Sequence, residues 1–272
     1  MINLSIFKAG KYNFNFNFNK KSLVMGILNV TPDSFSDGGL FNEPEKAVKR
    51  ALEIQYLGAD IIDIGAQSTR PGFKKISSDE EWARLRPVLE KLNGVLNIPI
   101  SIDTFYPEVA EKSLRMGASI INDVTGFKDK RMFEVASESD CGVVIMFSGD
   151  CKNMKDFFEN KLAEAQKCGI AKERICLDPG VGFLETRAQD RFVINNLGNF
   201  KIDEVACLVG LSRKRFIAEL CEKGSNIDRL PGTIAANTIA IERGANIIRV
   251  HDVKEGVLAA KTADAILKTR EI

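Results

Sequence analysis

The chain has 272 residues and is 44% hydrophobic, enough for a full core and for an α/β barrel in one domain spanning residues 1–272. Its net charge of +1 excludes a general surface for nucleic acid or other polyanions. Six cysteines without a Cys-x-x-Cys pair, beside a single His, exclude ordinary zinc spacing and read as reduced thiols of a soluble, cytoplasmic protein with no leader or membrane span.

Asn13 to Asn19 alternates Asn and Phe, which predicts a strand with one apolar face, placed as a strand or hairpin over the closed bottom of a barrel. Short apolar runs then predict strands at Leu23–Leu28, Ile61–Ile64, Ile100–Ile102, Ser119–Ile121, Val143–Met146, Arg174–Leu177, Ala206–Val209 and Ile247–Val250. Helical spacing predicts helices at Glu45–Leu57, Asp79–Leu96, Pro107–Met116, Lys130–Ser137, Lys155–Cys168, Gln189–Leu197, Arg215–Cys221, Thr233–Glu242 and Glu255–Leu267. Ser78 with Glu81 reads as a capping box for the second of these. Gly58, Gly117 and Gly244 each precede an Ala and a strand, the pattern of a left-handed helix cap. Repeated strand-then-helix order implies parallel strands with right-handed crossovers, and eight such units predict a (β/α)8 TIM barrel. An open doubly wound sheet is the alternative, but the chain has no glycine-rich dinucleotide fingerprint and no P-loop.

A TIM barrel carries its active site at the C-terminal ends of its strands. The polar residues there are Asn29, Asp63, Asp103, Asn122, Asp178, Ser212 with Lys214, and Arg249 with His251. The single His already stands beside Arg249, so no Ser-His-Asp or Cys-His arrangement forms, and covalent catalysis is not expected. Two carboxylates and a carboxamide suit the donor edge of a flat, nitrogen-rich heterocycle, because a carboxylate accepts two parallel N–H bonds. Each could instead cap a turn, Asp178 before Pro-Gly and Asn122 before Asp123 among them; their convergence on one mouth favours binding. The cations after the last two strands lie where barrels often hold phosphate. Asn29 opens a loop of Thr, Pro, Asp, Ser and Gly, the composition of a mobile segment, and Ser68-Thr-Arg-Pro-Gly72 supplies an Arg that could close over a diphosphate. Asn29 and nearby loop oxygens could hold Mg2+ against that diphosphate.

The same residues carry a family likeness. Met25-Gly-Ile-Leu-Asn-Val-Thr-Pro-Asp-Ser-Phe-Ser-Asp-Gly-Gly39 closely resembles the signature of the dihydropteroate synthases, folate-pathway enzymes that sulfonamides inhibit. Gly65-Ala-Gln-Ser-Thr-Arg-Pro-Gly72, Ser101-Ile-Asp-Thr104, Ile121-Asn-Asp123, Asp178-Pro-Gly-Val-Gly-Phe183, Gly210-Leu-Ser-Arg-Lys214 and Arg249-Val-His-Asp252 resemble the family's other blocks, in order. The resemblance implies that Asp103, Asn122, Asp178 and Lys214 hold a pterin, with Met146, Phe183 and Gly210 lining its pocket and Arg249 stacked on it. It implies that Asn29, Thr69, Arg70, Arg249 and His251 hold the diphosphate, with Mg2+ at Asn29. Thr69, Arg70, Ser212 and Lys214 would shape the p-aminobenzoate site, and Lys214, Arg70 and Asp103 would be catalytic. The implied reaction joins 6-hydroxymethyl-7,8-dihydropterin diphosphate to p-aminobenzoate, with dissociative loss of diphosphate. A homodimer through the late helices is also implied, although Thr233 to Ile241 suits packing on the barrel equally well. A methyltetrahydrofolate-binding methyltransferase and a non-catalytic pterin-binding paralogue are the alternatives; neither has a use for the full set of anion-binding cations. Two stretches depart from the family pattern. Phe147 follows Met146 where a His-Met block is usual, and Leu184-Glu185 replaces Gly-Lys.

Overall fold

Each of eight buried apolar runs has a parallel partner on both sides, which requires the sheet to close on itself. The computed structural model describes residues 6–16, 21–31, 43–67, 75–221 and 228–268. A hairpin of β1 (Ile6–Ala9) and β2 (Tyr12–Asn15) comes first, followed by β3 (Leu23–Asn29) and α1 (Glu43–Tyr56). The repeat continues through β4 (Ile61–Gly65), α2 (Ser78–Leu92), β5 (Ile100–Asp103), α3 (Pro107–Arg115), β6 (Ile120–Asp123) and α4 (Arg131–Ser137). It ends with β7 (Gly142–Met146), α5 (Met154–Lys167), β8 (Ile175–Asp178), α6 (Arg187–Asn195), β9 (Ala206–Val209), α7 (Arg215–Cys221), α8 (Leu230–Glu242), β10 (Ile247–Val250) and α9 (Val253–Lys268). The barrel order is β10-β3-β4-β5-β6-β7-β8-β9, with Ile247 opposite Leu23 where the first and last strands meet.

The predicted TIM barrel and its hairpin are both present. Strand bounds agree with the apolar runs to within two residues, because those runs are buried on both faces. The three glycine caps sit at φ of +94° (Gly58), +96° (Gly117) and +103° (Gly244), a region that only glycine enters without strain. The second helix differs at both ends. Its N-cap is Ser77, whose hydroxyl accepts from the Glu80 N–H at 3.2 Å, so the expected Ser78–Glu81 box does not form. Glu81 turns inward instead and is fully buried. The helix stops at Leu92 rather than Leu96, because Asn93 caps it and Gly94 turns the chain at φ +73°.

The hairpin closes the bottom of the barrel. Phe7 is fully buried and packs with Met25, Ile61, Ile120, Val144 and Cys176, residues that point into the barrel's lower half. Gly142 admits this ring: a Cβ there would stand 2.7 Å from Phe7 Cζ. The Gly10 N–H donates to the Asp140 carbonyl at 2.8 Å and pins the turn. In the Asn-Phe run, Asn13 and Asn15 face solvent, Phe14 stacks on Phe7 and Phe16 is buried; Phe18 and the Asn residues at 17 and 19 lie outside the described residues. No described helix is long and apolar enough to cross a membrane. Among the described residues Cys141, Cys151, Cys176 and Cys207 are buried free thiols and Cys168 is an exposed one.

Phe7→Ala is expected to lower the free energy of unfolding by about 3–5 kcal/mol in urea titration. A loss below about 1 kcal/mol would mean that the hairpin does not seal the core.

Candidate active site

Asp63, Asp103, Asn122, Asp178 and Ser212 at the upper strand ends are buried, so each needs a partner. Arg249, on β10, supplies most of the pairing. Its Nε donates to Asp63 Oδ2 on β4 at 2.6 Å, and its Nη2 donates to Asp103 Oδ2 on β5 at 2.9 Å. Asn122, on β6, donates to the same Asp63 oxygen at 3.1 Å. Asp63 is therefore the hub that orients both the guanidinium and the carboxamide. The remaining Oδ1 atoms of Asp63 and Asp103 have no partner among the described residues, although both are buried. At Asp103 this leaves an acceptor available for a ligand's N–H group.

The second half of the site is built on β8 and the loop after β9. Asp178 Oδ1 accepts from the Gly180 N–H at 2.8 Å, which fixes the carboxylate against its own turn. Gly180 has to be glycine, at φ +65° and with a Cβ that would fall 1.8 Å from the Phe147 carbonyl oxygen. Lys214 reaches over this turn. Its Nζ donates to the Val181 carbonyl and lies 5.0 Å from the centre of the Phe183 ring. Its stem rests on Gly182, whose absent Cβ would stand 2.8 Å from Lys214 Cδ. Asp190, fully buried on α6, accepts from the Gly182 N–H at 2.6 Å and pairs with Arg187 at 3.1 Å. Met146 is buried at the end of β7, and Gly210 lies 3.8 Å, by its missing Cβ, from Arg249.

Burial shapes the charges. It pushes the Asp103 carboxyl up to about 7; Asp63 and Glu81 add to that, and Arg249 opposes it. It also raises Asp178, against the pull of Lys214 and the Gly180 N–H. Lys214 is brought down to about 8 by burial, with Asp178 opposing. A proton-sensitive carboxyl and a proton-sensitive amine thus share one mouth.

The anion-binding expectations fall to one side. Ser212 is buried, and its Oγ accepts from the His251 N–H at 3.1 Å and lies 3.0 Å from His251 Nδ1. Arg213 turns away to Asp252, at 3.0 and 2.5 Å. Asn29 and His251 line a cavity of about 580 Å³ together with Arg50, Arg213 and Lys254. The structure therefore brings Asp103, Asn122, Asp178, Lys214 and Arg249 together and sets Asn29 and His251 beside them. Thr69, Arg70 and the first loop from residue 32 to 40 lie outside the described residues.

Two of the supporting residues were not assigned from sequence. Asp63 was visible as a strand-end carboxylate, but its partner lies 186 residues away. Asp190 gave no signal beyond its place in the first turn of a helix. The two departures from the family pattern meet each other: Gly149, after Phe147, forms a parallel bridge with Leu184. Phe147 itself packs inward, 5.2 Å from the Phe157 ring centre, and does not face the mouth.

A family model for pterin binding enzymes matches residues 25–251. The chain is 42% identical over 258 residues to the dihydropteroate synthase of Bacillus subtilis, covering 92% of this chain and 90% of that one. The chain belongs to the pterin-binding enzymes, among the dihydropteroate synthases. It is also 43% identical to the mitochondrial bifunctional folate synthesis protein of Pisum sativum, but spans only 55% of its length. A solved dihydropteroate synthase from Xanthomonas albilineans with 4-aminobenzoic acid superimposes with a TM-score of 0.90 at 35% identity, over 97% of this chain and 98% of that one. One from Burkholderia cenocepacia, complexed with 7,8-dihydropteroate, gives a TM-score of 0.88 at 30% identity, over 98% of each chain.

A carboxyl near 7 is charged above that pH, and an amine near 8 is charged below it. Affinity for pteroic acid, followed by calorimetry, is expected to be highest between these values. It should fall on the acid side as Asp103 gains a proton and on the alkaline side as Lys214 loses one. Constant affinity through the neutral range would contradict a role for these two charges.

Proposed function

We propose that the chain condenses 6-hydroxymethyl-7,8-dihydropterin diphosphate with p-aminobenzoate to give 7,8-dihydropteroate and diphosphate, a transferase step of folate biosynthesis. The observation that carries this reading is the convergence of Asp103, Asn122, Asp178 and Lys214 around Arg249 at one end of the barrel. These groups match a pterin edge by edge. Asp103 Oδ1 and the Asp178 carboxylate accept from ring and amino N–H groups, and the Asn122 side chain both accepts and donates. Lys214 donates to the pterin's oxygen or ring nitrogen, while Met146, Phe183 and Gly210 bound the slot. Arg249 lies along the pterin face and extends a cation toward the diphosphate.

Displacement breaks the bond between the pterin methylene carbon and the diphosphate oxygen and forms one from that carbon to the aniline nitrogen, which then loses a proton. No nucleophile of the chain is needed. The family resemblance gives Arg249, His251, Asn29, Thr69 and Arg70 the role of holding the departing diphosphate, and electrostatic stabilisation with positioning supplies the rate. It gives Thr69, Arg70, Ser212 and Lys214 the p-aminobenzoate. Mg2+ binds through few protein oxygens plus water and phosphate, which is compatible with Asn29 as a protein ligand; no cluster of three His, Cys, Asp or Glu is present among the described residues, so the diphosphate itself would have to supply ligands. Bound there, Mg2+ would neutralise charge on the leaving diphosphate. A homodimer is in keeping with Ile239, Leu258 and Ile266, large apolar side chains left exposed on α8 and α9. A methyltransferase has no use for Arg70 or His251, and a non-catalytic paralogue should have lost the anion-binding cations, whereas this chain keeps them.

Diphosphate release from the pterin diphosphate, assayed with and without p-aminobenzoate and Mg2+, tests the reading. Mg2+-dependent release with dihydropteroate as product is the expected result, and pterin binding without release would refute it. Lys214→Ala and Asp103→Asn should each cut turnover by about 100-fold or more, since each removes a buried charged contact to the pterin. Near-normal rates in either folded variant would disprove the site assignment.

A further inference from the structure

Three described residues other than glycine have a positive φ: Phe127, Glu204 and Arg213. Of these, Arg213 stands between two residues of the site, Ser212 and Lys214. It is the third residue of a four-residue turn, closed where the Lys214 N–H donates to the Leu211 carbonyl at 3.3 Å. Turns with a positive φ at that position favour glycine or asparagine, so an arginine at φ +56° is strained. Its surroundings hold it there. The Arg213 N–H donates to Thr233 Oγ1 at 3.1 Å, and its carbonyl accepts from Arg229 Nη1 at 2.9 Å, both at the start of α8. Its Nε and Nη2 donate to the two oxygens of Asp252, just before α9. The residues on either side face different halves of the mouth. Ser212 Oγ meets His251, and Lys214 rests on Gly182 toward the Phe183 ring. Arg213 is more than half exposed, so its ion pair adds little to stability. The two-point fork fixes an orientation instead.

We propose that Arg213 is a positioning residue: clasped by Thr233 and Asp252 in a left-handed turn, it holds Ser212 against His251 and Lys214 over Gly182 at once. The clasp ties the loop after β9 to the loop after β10, so the anion side and the pterin side of the mouth keep one fixed relation. This deepens the synthase reading and rests on it, because Ser212 and Lys214 are the residues that the clasp serves. Arg213 itself needs no contact with a substrate. A left-handed residue reverses the chain within one step, which lets adjacent side chains point to opposite sides of a narrow mouth.

Exchanging the two charges in the full chain tests the clasp. Arg213→Asp and Asp252→Arg each set like charges face to face, and each is expected to lower kcat/KM for p-aminobenzoate by about 10-fold or more. The double variant re-forms the pair in reverse, with an aspartate that tolerates a positive φ, and is expected to recover to within about 3-fold of the parent chain. Arg213→Lys keeps the charge but not the fork and should still lose about 5-fold, which keeps the test decisive if a charge exchange does not fold. Nitrogen-15 NMR of the histidine ring gives a readout independent of turnover, because His251 is the chain's single histidine. Its ring signals should move in each single variant and return in the double. Rates and ring signals that stay in place in the single variants, or a double variant no better than either, would overturn the proposal. So would a lowered thermal midpoint with kcat/KM and ring signals unchanged, the mark of a purely structural pair. The parent chain separates the two claims. Dihydropteroate formation with ring signals indifferent to the clasp would remove the clasp alone. Ring signals that follow the clasp in a chain that forms no dihydropteroate would leave the tie between the loops and remove the synthase reading.

Discussion

The ion pairing of Arg249 with Asp63 and Asp103 is the constraint on which the upper end of this barrel depends. Two buried carboxylates a few ångströms apart cannot both ionise without a cation between them. Arg249 meets that need because its planar fork offers donors to both at once, which a lysine could not do. The guanidinium comes from the last strand and the carboxylates from the second and third strands of the barrel, so the interaction spans the seam between β10 and β3. Asn122 is then held by Asp63, and Asp103 is left with one oxygen that has no partner among the described residues. Removing Arg249 would uncover two buried charges together, a larger loss than any single contact to a substrate.

The two ends of the barrel divide the work. The lower end is apolar and sealed, with the Phe7 hairpin filling the space under the strands. The upper end is polar, and its side chains are held by buried carboxylates: Asp63 on Arg249, and Asp190 on the Gly182 N–H under Lys214. Glycines set the closest approaches, with Gly180 against Phe147 and Gly182 under Lys214. The bridge between Gly149 and Leu184 ties the loop after β7 to the loop after β8, so the two departures from the family pattern form one local feature.

Most of the fold could be read from the chain. Strands buried on both faces appear as unbroken apolar runs, and Gly58, Gly117 and Gly244 mark where helices stop. The first turn of α2 is ambiguous in sequence because Ser77 and Ser78 are adjacent and either can cap; Glu81 packs inward rather than back on the helix end, and Ser77 caps. Apolar spacing continues beyond Leu92 to Leu96, but Asn93-Gly94 stops the helix at Leu92. In the site, strand position alone picked out Asp103, Asn122, Asp178, Lys214 and Arg249. Roles that depend on long-range partners were not legible. Asp63 and Arg249 are brought together only by closure of the barrel, and nothing local in the sequence encodes that contact.

The most direct test of the central claim is a crystal structure with pteroic acid bound. The account requires the pterin ring between Asp103, Asn122, Asp178 and Lys214, with Arg249 along its face and Asp63 behind, out of contact with the ligand. A pterin seated anywhere else, or one that leaves the Asp103 and Asp178 carboxylates without an N–H donor, would contradict it.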